Sequence, residues 1–252
     1  EELDSIHTVG IDCVAMNVND LICVGSEPLS FVDYVALDKP DEGLMSKIGI
    51  GLAEGCRQAN CTLSGGETAI LPELVHGFDI AGTSVGYVKQ KDIIDGTKIS
   101  EGDVLIGLKS SGPHSNGYTL IRKLFDGNAE VGKQLIEPTR IYVKEVMELI
   151  SQIDVHGIAH ITGGGLDNIN RINDHFQYVI DKPLPVPSVF DWLQEKGNVE
   201  DKEMYRTFNM GMGMIIIVNK NDAEKSVSIL GDDAQIIGSV RNGKGISHMA
   251  MK

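Results

Sequence analysis

The residues best suited to chemistry lie in two glycine-rich stretches and on one helical pattern. In SSGPHSNGY (Ser110–Tyr118), His114, Ser115 and Asn116 fall between the apolar run Val104–Leu108 and a helical pattern at Tyr118–Phe125. A strand, a loop of small residues and a helix start can aim backbone N–H groups at an anion. The loop lacks the GK[ST] ending of a Walker motif. An ordinary loop, with Ser115 or Asn116 capping the helix and His114 exposed, fits the same residues. HITGGGLDNI repeats the arrangement around Thr162, Gly163, Gly164 and Gly165. Three consecutive glycines carry a chain-entropy cost that a plain turn does not need. Either a ligand approaches the backbone closely, or a tight turn packs on another domain. A dinucleotide site fits poorly, because GxGxxG is missing and no acidic residue ends a following strand.

Carboxylates supply the second set of candidates. Asp20 follows Asn17 by one helical step on an amphipathic pattern, so the two side chains neighbour each other. Glu67 follows Gly65 and Gly66 in SGGETA. Two carboxylates from separate elements are the hard oxygen ligands that a Mg²⁺–nucleotide site uses; a solvated helix face is the plain alternative for Asp20. Asp33 shares a strand face with Phe31 and Val35, as a buried, hydrogen-bonded carboxylate would. In MYRTFNMGMGM, Arg206, Thr207 and Asn209 stand just before a strand, where Arg206 suits a bidentate phosphate contact or an ordinary surface ion pair. His156 and His160 share a strand-like run without a third ligand, and read as core or surface histidines.

Alternating helical and strand patterns position these residues, giving an α/β fold of α+β type. Val14, Ala15, Val18, Leu21 and Ile22 make a helical row, with Asp12 as its N-cap and Gly25 beyond its end. PLSFVDYVAL alternates like a strand, and Leu44, Ile48, Leu52 and Cys56 form a second helical row. CTLSGGETAI reads as a short strand ending in a glycine turn. DIAGTSVGYV reads as a strand with one face of only Gly82, Ser84 and Gly86. The polar stretch 89–103 divides the chain into domains at 1–92 and 93–252. Beyond it come strands at Val104–Leu108, Gly157–Ile161 and MGMGMIIIV. Helices are expected at Tyr118–Phe125, Ile141–Ile150, Leu166–Ile172, FDWLQEKGN and DAEKSVSIL.

The composition narrows the partners. With 252 residues and a formal charge of −14, the chain is poorly suited to nucleic acid or an anionic membrane, both of which need clustered Lys and Arg. A phosphate would be met by metal, backbone N–H groups or a few placed cations. No apolar run is long enough to span a membrane. Cys13, Cys23, Cys56 and Cys61 form no CxxC pair and read as reduced fillers of a cytoplasmic protein.

Taken in order, GIDCVAMNVNDL, SGGETA, SSGPHSNGYTLIRK, PTRIYVK, HITGGG and MYRTFNMGMGM resemble the aminoimidazole ribonucleotide synthetases. These enzymes are also called phosphoribosylformylglycinamidine cyclo-ligases. The resemblance runs from about Thr8 to Ile217. It implies ATP-dependent ring closure of formylglycinamidine ribonucleotide in purine biosynthesis, with Mg²⁺. It also implies a homodimer whose N-terminal sheets close a barrel, to which the Gly82, Ser84 and Gly86 face would contribute or which it would leave for an intrachain contact. The C-terminal domain would be an α/β sandwich-like substrate domain.

Carried over by motif, Asp20 and Glu67 would hold the metal, joined by Asn17, Gly65 and Gly66 at the nucleotide. His114, Asn116 and Asp20 would serve the reaction. Ser115, Thr162, Gly163, Gly164, Gly165, Arg206 and Asn209 would meet the ribonucleotide. Two departures stand out. The family's DGVGTK-type segment would precede EELDSIHTVG, which implies an omitted mobile N-terminal stretch. FDGNAEVGK is short for the family, which implies a trimmed loop. A sibling phosphotransferase or a non-catalytic nucleotide-binding chain are the alternative readings.

Overall fold

The computed structural model describes residues 5–248. Helix α1 (His7–Cys23) buries Ile11, Val14, Ala15, Val18, Asn19 and Ile22 along one row. It begins before Asp12, so Asp12 is not its N-cap but projects from its second turn. Gly25, at φ +76°, turns the chain after the helix, a left-handed conformation that glycine adopts without steric cost. Strand β1 (Glu27–Leu37) then buries Phe31, Val35 and Leu37, with Asp33 half-buried on the same face. Helix α2 (Glu42–Gln58) is capped by Asp41, whose carboxylate accepts from Leu44 N, and packs on α1.

β1 is the middle of a three-stranded sheet, with β2 (Thr62–Ile70) parallel on one side and β3 (Phe78–Tyr87) antiparallel on the other. β2 does not end at its glycines. It runs through them with a bulge, since Phe31 lies opposite Leu63 but Val32 opposite Gly65; the extra residue is Ser64. The Gly82–Ser84–Gly86 face receives α1 of the same chain: a Cβ on Gly82 would stand 2.3 Å from Phe31 Cζ and 3.0 Å from Asn17 Nδ2. The small residues therefore make room for an intrachain helix. The opposite face of the sheet is the uncovered one, with Val32, Tyr34, Val85 and Tyr87 exposed.

After the connecting stretch, β4 (Val104–Lys109) enters a six-stranded sheet ordered β5-β7-β4-β8-β6-β9. The remaining strands are β5 (Val155–His160), β6 (Phe176–Ile180), β7 (Met212–Val218), β8 (Ala234–Asn242) and β9 (Gly245–His248). All pairs are antiparallel except β6 with β9. The central strands are buried on both faces. Val104, Ile106, Leu108, Met214 and Ile216 join one core with residues of α1, β1, α5 (Val143–Gln152) and α8 (Ala223–Leu230). Leu105, Ile215, Ile217 and Tyr178 face a second core under α6 (Ser188–Gly197) and α7 (Asp201–Thr207). The fold is mixed α/β, and α1 is common to the small sheet and one face of the large one.

Some elements differ from the sequence patterns. Where a trimmed loop was expected, Asn128 caps a short helix α4 (Ala129–Leu135), following α3 (Tyr118–Leu124). Gly117, in the left-handed region, precedes α3, so neither Ser115 nor Asn116 caps it. Residues Gly165–Arg171 are 3₁₀ rather than α. Among the described residues no helix is long and apolar enough to cross a membrane. All four cysteines are free, Cys56 buried and the others partly so.

Candidate functional site

The site is assembled around the segment Pro138–Tyr142, which ties the first glycine-rich loop to α1. Ser111 Oγ donates to Pro138 O at 2.6 Å. Thr139 donates to Asp12 Oδ1 through its backbone N at 2.8 Å and its hydroxyl at 2.6 Å, and Ser115 Oγ lies 3.1 Å from that hydroxyl. Burial pushes the Asp12 carboxyl above its ordinary range, partly offset by these donors. Asn19 is fully buried; its amide donates to Arg140 O at 2.8 Å and accepts from Tyr142 N at 3.0 Å. The Arg140 guanidinium is held by Asp233 at 3.0 Å and Glu145 at 3.2 Å. It is therefore committed to the scaffold.

His114 does not look into a cleft. It is fully buried. Its Nε2 accepts from Ser111 N at 3.0 Å, which places the proton on Nδ1, and Nδ1 has no partner. Burial, with Arg140 and His160 nearby, depresses its pKa to about 3, so the ring is neutral under physiological conditions. His114 and Ser115 both take positive φ, +52° and +60°, a costly conformation for residues with side chains. The histidine closes the loop on itself, and the loop then presents Ser115 and Asn116 outward.

Asn116 is where the two glycine-rich loops meet. Its Nδ2 donates to His114 O at 2.5 Å, and its Oδ1 lies 3.0 Å from where a Cβ of Gly163 would be. Gly163 is exposed, and any side chain there would press on Asn116. Gly165 has a different reason: its Cβ would lie 2.0 Å from Tyr205 O, against the end of α7. Thr162 O accepts from Gly165 N at 2.9 Å and closes that turn. Asn209 is buried with both polar atoms used, donating to Gly112 O at 2.8 Å and accepting from Gly211 N at 2.9 Å. It supports the first loop from below. Arg206, on α7, is exposed and 3.9 Å from Glu203.

Asp20 stands at a cleft of about 420 Å³ between α1 and the second loop, together with His160, Thr162, Asn168 and Arg171. Its side chain is 71% exposed, and Oδ1 accepts from His160 Nδ1 at 2.9 Å. Asn17 shares a second hollow of about 450 Å³ with Asp20 and Ser84, and with Ser115 lines another of about 500 Å³ toward the start of α1. Glu67 is not with Asp20. The register sets it opposite Tyr34, on the face of the small sheet turned away from α1, while Gly66 stands opposite Asp33 on the inner face. The expected two-carboxylate cation site does not form within the chain. Among the described residues no group of three or more His, Cys, Asp or Glu side chains could hold a metal.

Asp12, Asn19, Thr139, Arg140 and His160 lie inside the quoted motifs but were not among the candidate site residues. Asn19 carries a readable sign, a polar residue in an otherwise apolar helical row, which implies a buried hydrogen-bonded amide. The others meet across more than a hundred residues of sequence, and spacing carries no trace of such contacts.

Two sheets, two glycine-rich loops that meet at Asn116 and Gly163, and a helix shared by both sheets define the class. The chain matches the family described as AIR synthase related protein, its N-terminal domain over residues 2–88 and its C-terminal domain over 100–250. It belongs to that family. Among its relatives is the phosphoribosylformylglycinamidine cyclo-ligase of Methanosarcina mazei, 46% identical over 95% of this chain and 74% of its own length. That of Methanococcoides burtonii is 48% identical over the same shares. Hydrogenase maturation protein HypE in complex with ATP has the same fold, with TM-score 0.75 at 20% identity over 93% of this chain and 71% of its own. Thiamine monophosphate kinase from Aquifex aeolicus follows with TM-score 0.70 at 18% identity over 98% and 82%.

Proposed function

We propose that this chain closes the imidazole ring of formylglycinamidine ribonucleotide, consuming ATP and releasing aminoimidazole ribonucleotide, ADP and phosphate. The observation that carries the reading is the meeting of the two motif loops at Asn116 and Gly163, in a chain whose 45–48% identical relatives are named for this reaction. An amide oxygen is a poor leaving group. Once it takes the terminal phosphoryl group of ATP, a nitrogen of the same substrate attacks that carbon, and phosphate departs with the C–O bond. The protein's work is positioning and charge stabilisation.

In this reading Ser115, Asn116 and Thr162–Gly165 contact the ribonucleotide, and Asp20 faces the nucleotide phosphates. His114 and Asn209 act through the loop they hold. Arg206 remains a candidate for the substrate phosphate. Magnesium on the nucleotide would meet Asp20 alone of the two expected carboxylates, with Glu67, Gly65 and Gly66 contributing only if a second copy brought them near. The exposed Val32, Tyr34, Val85 and Tyr87 support a homodimer formed through the outer face of the small sheet. Tyr34→Asp should then lower the mass measured by light scattering to that of a monomer. A cytoplasmic location accords with this chemistry.

ADP release, measured with and without formylglycinamidine ribonucleotide, tests the function. Release that depends on the ribonucleotide, with formation of the aminoimidazole product, supports it. Release driven instead by another small acceptor would identify a sibling phosphotransferase.

A further inference from the structure

His160 and Asn19 are fully enclosed, yet they end on a carboxylate that is open to the cleft, and the chain of bonds between them has only one consistent direction. The starting point is the backbone. Tyr142 N must donate, so the atom of Asn19 that it meets at 3.0 Å is Oδ1. Nδ2 of Asn19 therefore faces Arg140 O at 2.8 Å and His160 Nε2 at 3.5 Å, donating to both. His160 Nε2 is then an acceptor, its proton sits on Nδ1, and Nδ1–H donates to Asp20 Oδ1 at 2.9 Å. The His160 side chain is 1% exposed, so this is a built contact and not a surface encounter.

We propose that His160 is a positioning residue for the reaction. Through Nδ1–H it fixes Asp20 with Oδ1 engaged and Oδ2 turned to the cleft, and Asn19 fixes the tautomer that allows this. Two domains are joined by the arrangement. Asp20 comes from α1 and His160 from the end of β5, two residues before the Thr162–Gly165 loop, so the carboxylate and the loop keep one geometry. An unheld Asp20 at the helix surface would sample several rotamers, and orientation of this kind is what partners behind a reacting shell supply. The inference rests on the reading that Asp20 serves the nucleotide.

The test compares side chains that keep one ring position or the other. Asparagine at 160 offers an N–H near the place of Nδ1, whereas glutamine offers one near the place of Nε2. His160→Asn should keep kcat within about threefold of wild type, and His160→Ala and His160→Gln should each lose roughly 10- to 100-fold in kcat. The KM for the ribonucleotide should change little in all three. Thermal midpoints read alongside separate folding from positioning, and in a folded protein a merely structural histidine would not distinguish asparagine from glutamine in kcat. Asp20→Asn is measured in parallel. If Asp20→Asn is inactive while His160→Ala turns over normally, or if glutamine rescues as well as asparagine, this inference alone is overturned. If Asp20→Asn is as active as wild type, the reading of Asp20 falls and the inference with it.

Discussion

Two buried histidines stand behind the two glycine-rich loops; both accept at Nε2, and they differ in what Nδ1 meets. His114 accepts at Nε2 from the backbone of its own loop, and its Nδ1 ends without a partner against Gly213. His160 accepts at Nε2 from Asn19 and passes a donor from Nδ1 to a carboxylate in the cleft. One histidine is a closed end that shapes a loop. The other is an internal link whose last member reaches solvent. Motif order draws attention to His114, the histidine with the more unusual neighbours in sequence. The geometry gives direct contact with an exposed, chemically useful group only to His160.

The sharpest way to break this comparison is acid. The His114 pKa falls from 6.5 unfolded to about 3 folded. Between those values the unfolded chain binds the proton and the folded chain does not, so stability rises with pH across that window. Its contribution is complete above about pH 6.5 and is lost as pH falls toward 3, by roughly 4 kcal/mol from this one group. Denaturant titrations at a series of pH values should show that slope in wild type. His114→Gln, which can put its amide oxygen near the place of Nε2, should flatten it while keeping turnover. His114→Asn should unfold more easily, because its amide cannot reach Ser111 N. A His114→Gln protein that folds normally but is inactive would restore a direct chemical role to His114.

Glycine substitutions come next. Gly165→Ala forces a Cβ to 2.0 Å from Tyr205 O at φ +53°, and backbone cannot yield as a side chain does. A loss of about 3 kcal/mol is expected, read as a lowered midpoint in urea. Gly163→Ala meets only the Asn116 side chain at 3.0 Å. It should leave stability within about 1 kcal/mol and lower kcat/KM instead. Equal effects of the two substitutions on stability would mean that the triplet is one tight turn with no ligand-facing member.

The same contrast explains what the sequence made legible. The apolar rows of α1 and α2, the face of β1 and the strands β4 and β7 are readable because burial imposes a period on them. The Ser64 bulge and the two glycines after it read as a turn because only the partner strand reveals that pairing continues. α4 and α7 are short and polar, so tertiary packing, with an Asn128 cap at α4, defines them more than any apolar row. At the site, both loops and Asp20 were legible as small and polar breaks in apolar patterns. Asp12 to Thr139 spans 127 residues and Asp20 to His160 spans 140, so neither pair could be inferred from spacing. Asp12 was legible only as a cap, because a carboxylate near a helix start is usually one.

Thr139→Val sharpens the difference between the two carboxylates of α1. It removes the hydroxyl donor to Asp12 and keeps the side-chain shape, at an expected cost of about 1–2 kcal/mol. Asp12 already has a raised pKa, so the folded state holds its proton to higher pH than the unfolded state. Its stabilising effect is present at acid pH and fades as pH rises through the folded value. Losing a donor raises that pKa further. The variant should therefore be more destabilised at pH 7 than at pH 4. A pH-independent loss would mean that the hydroxyl matters through packing and not through the carboxylate.

The smallest effect on folding belongs to Arg206, and it decides how far the second loop's site extends. Its guanidinium is exposed and 3.9 Å from an exposed Glu203, a pair of a kind that contributes little in water. Arg206→Ala should change stability by no more than about 0.5 kcal/mol. The backbone of Tyr205 and Arg206, by contrast, presses on Gly165 and is untouched by the substitution. If Arg206 meets the ribonucleotide phosphate, KM for that substrate rises several-fold with kcat unchanged, the pattern of an interaction equal in ground and transition states. If neither constant moves, α7 serves the site through its backbone against Gly165, and the cation for the phosphate must be sought beside the cleft, where Arg171 lies without an ion pair among the described residues.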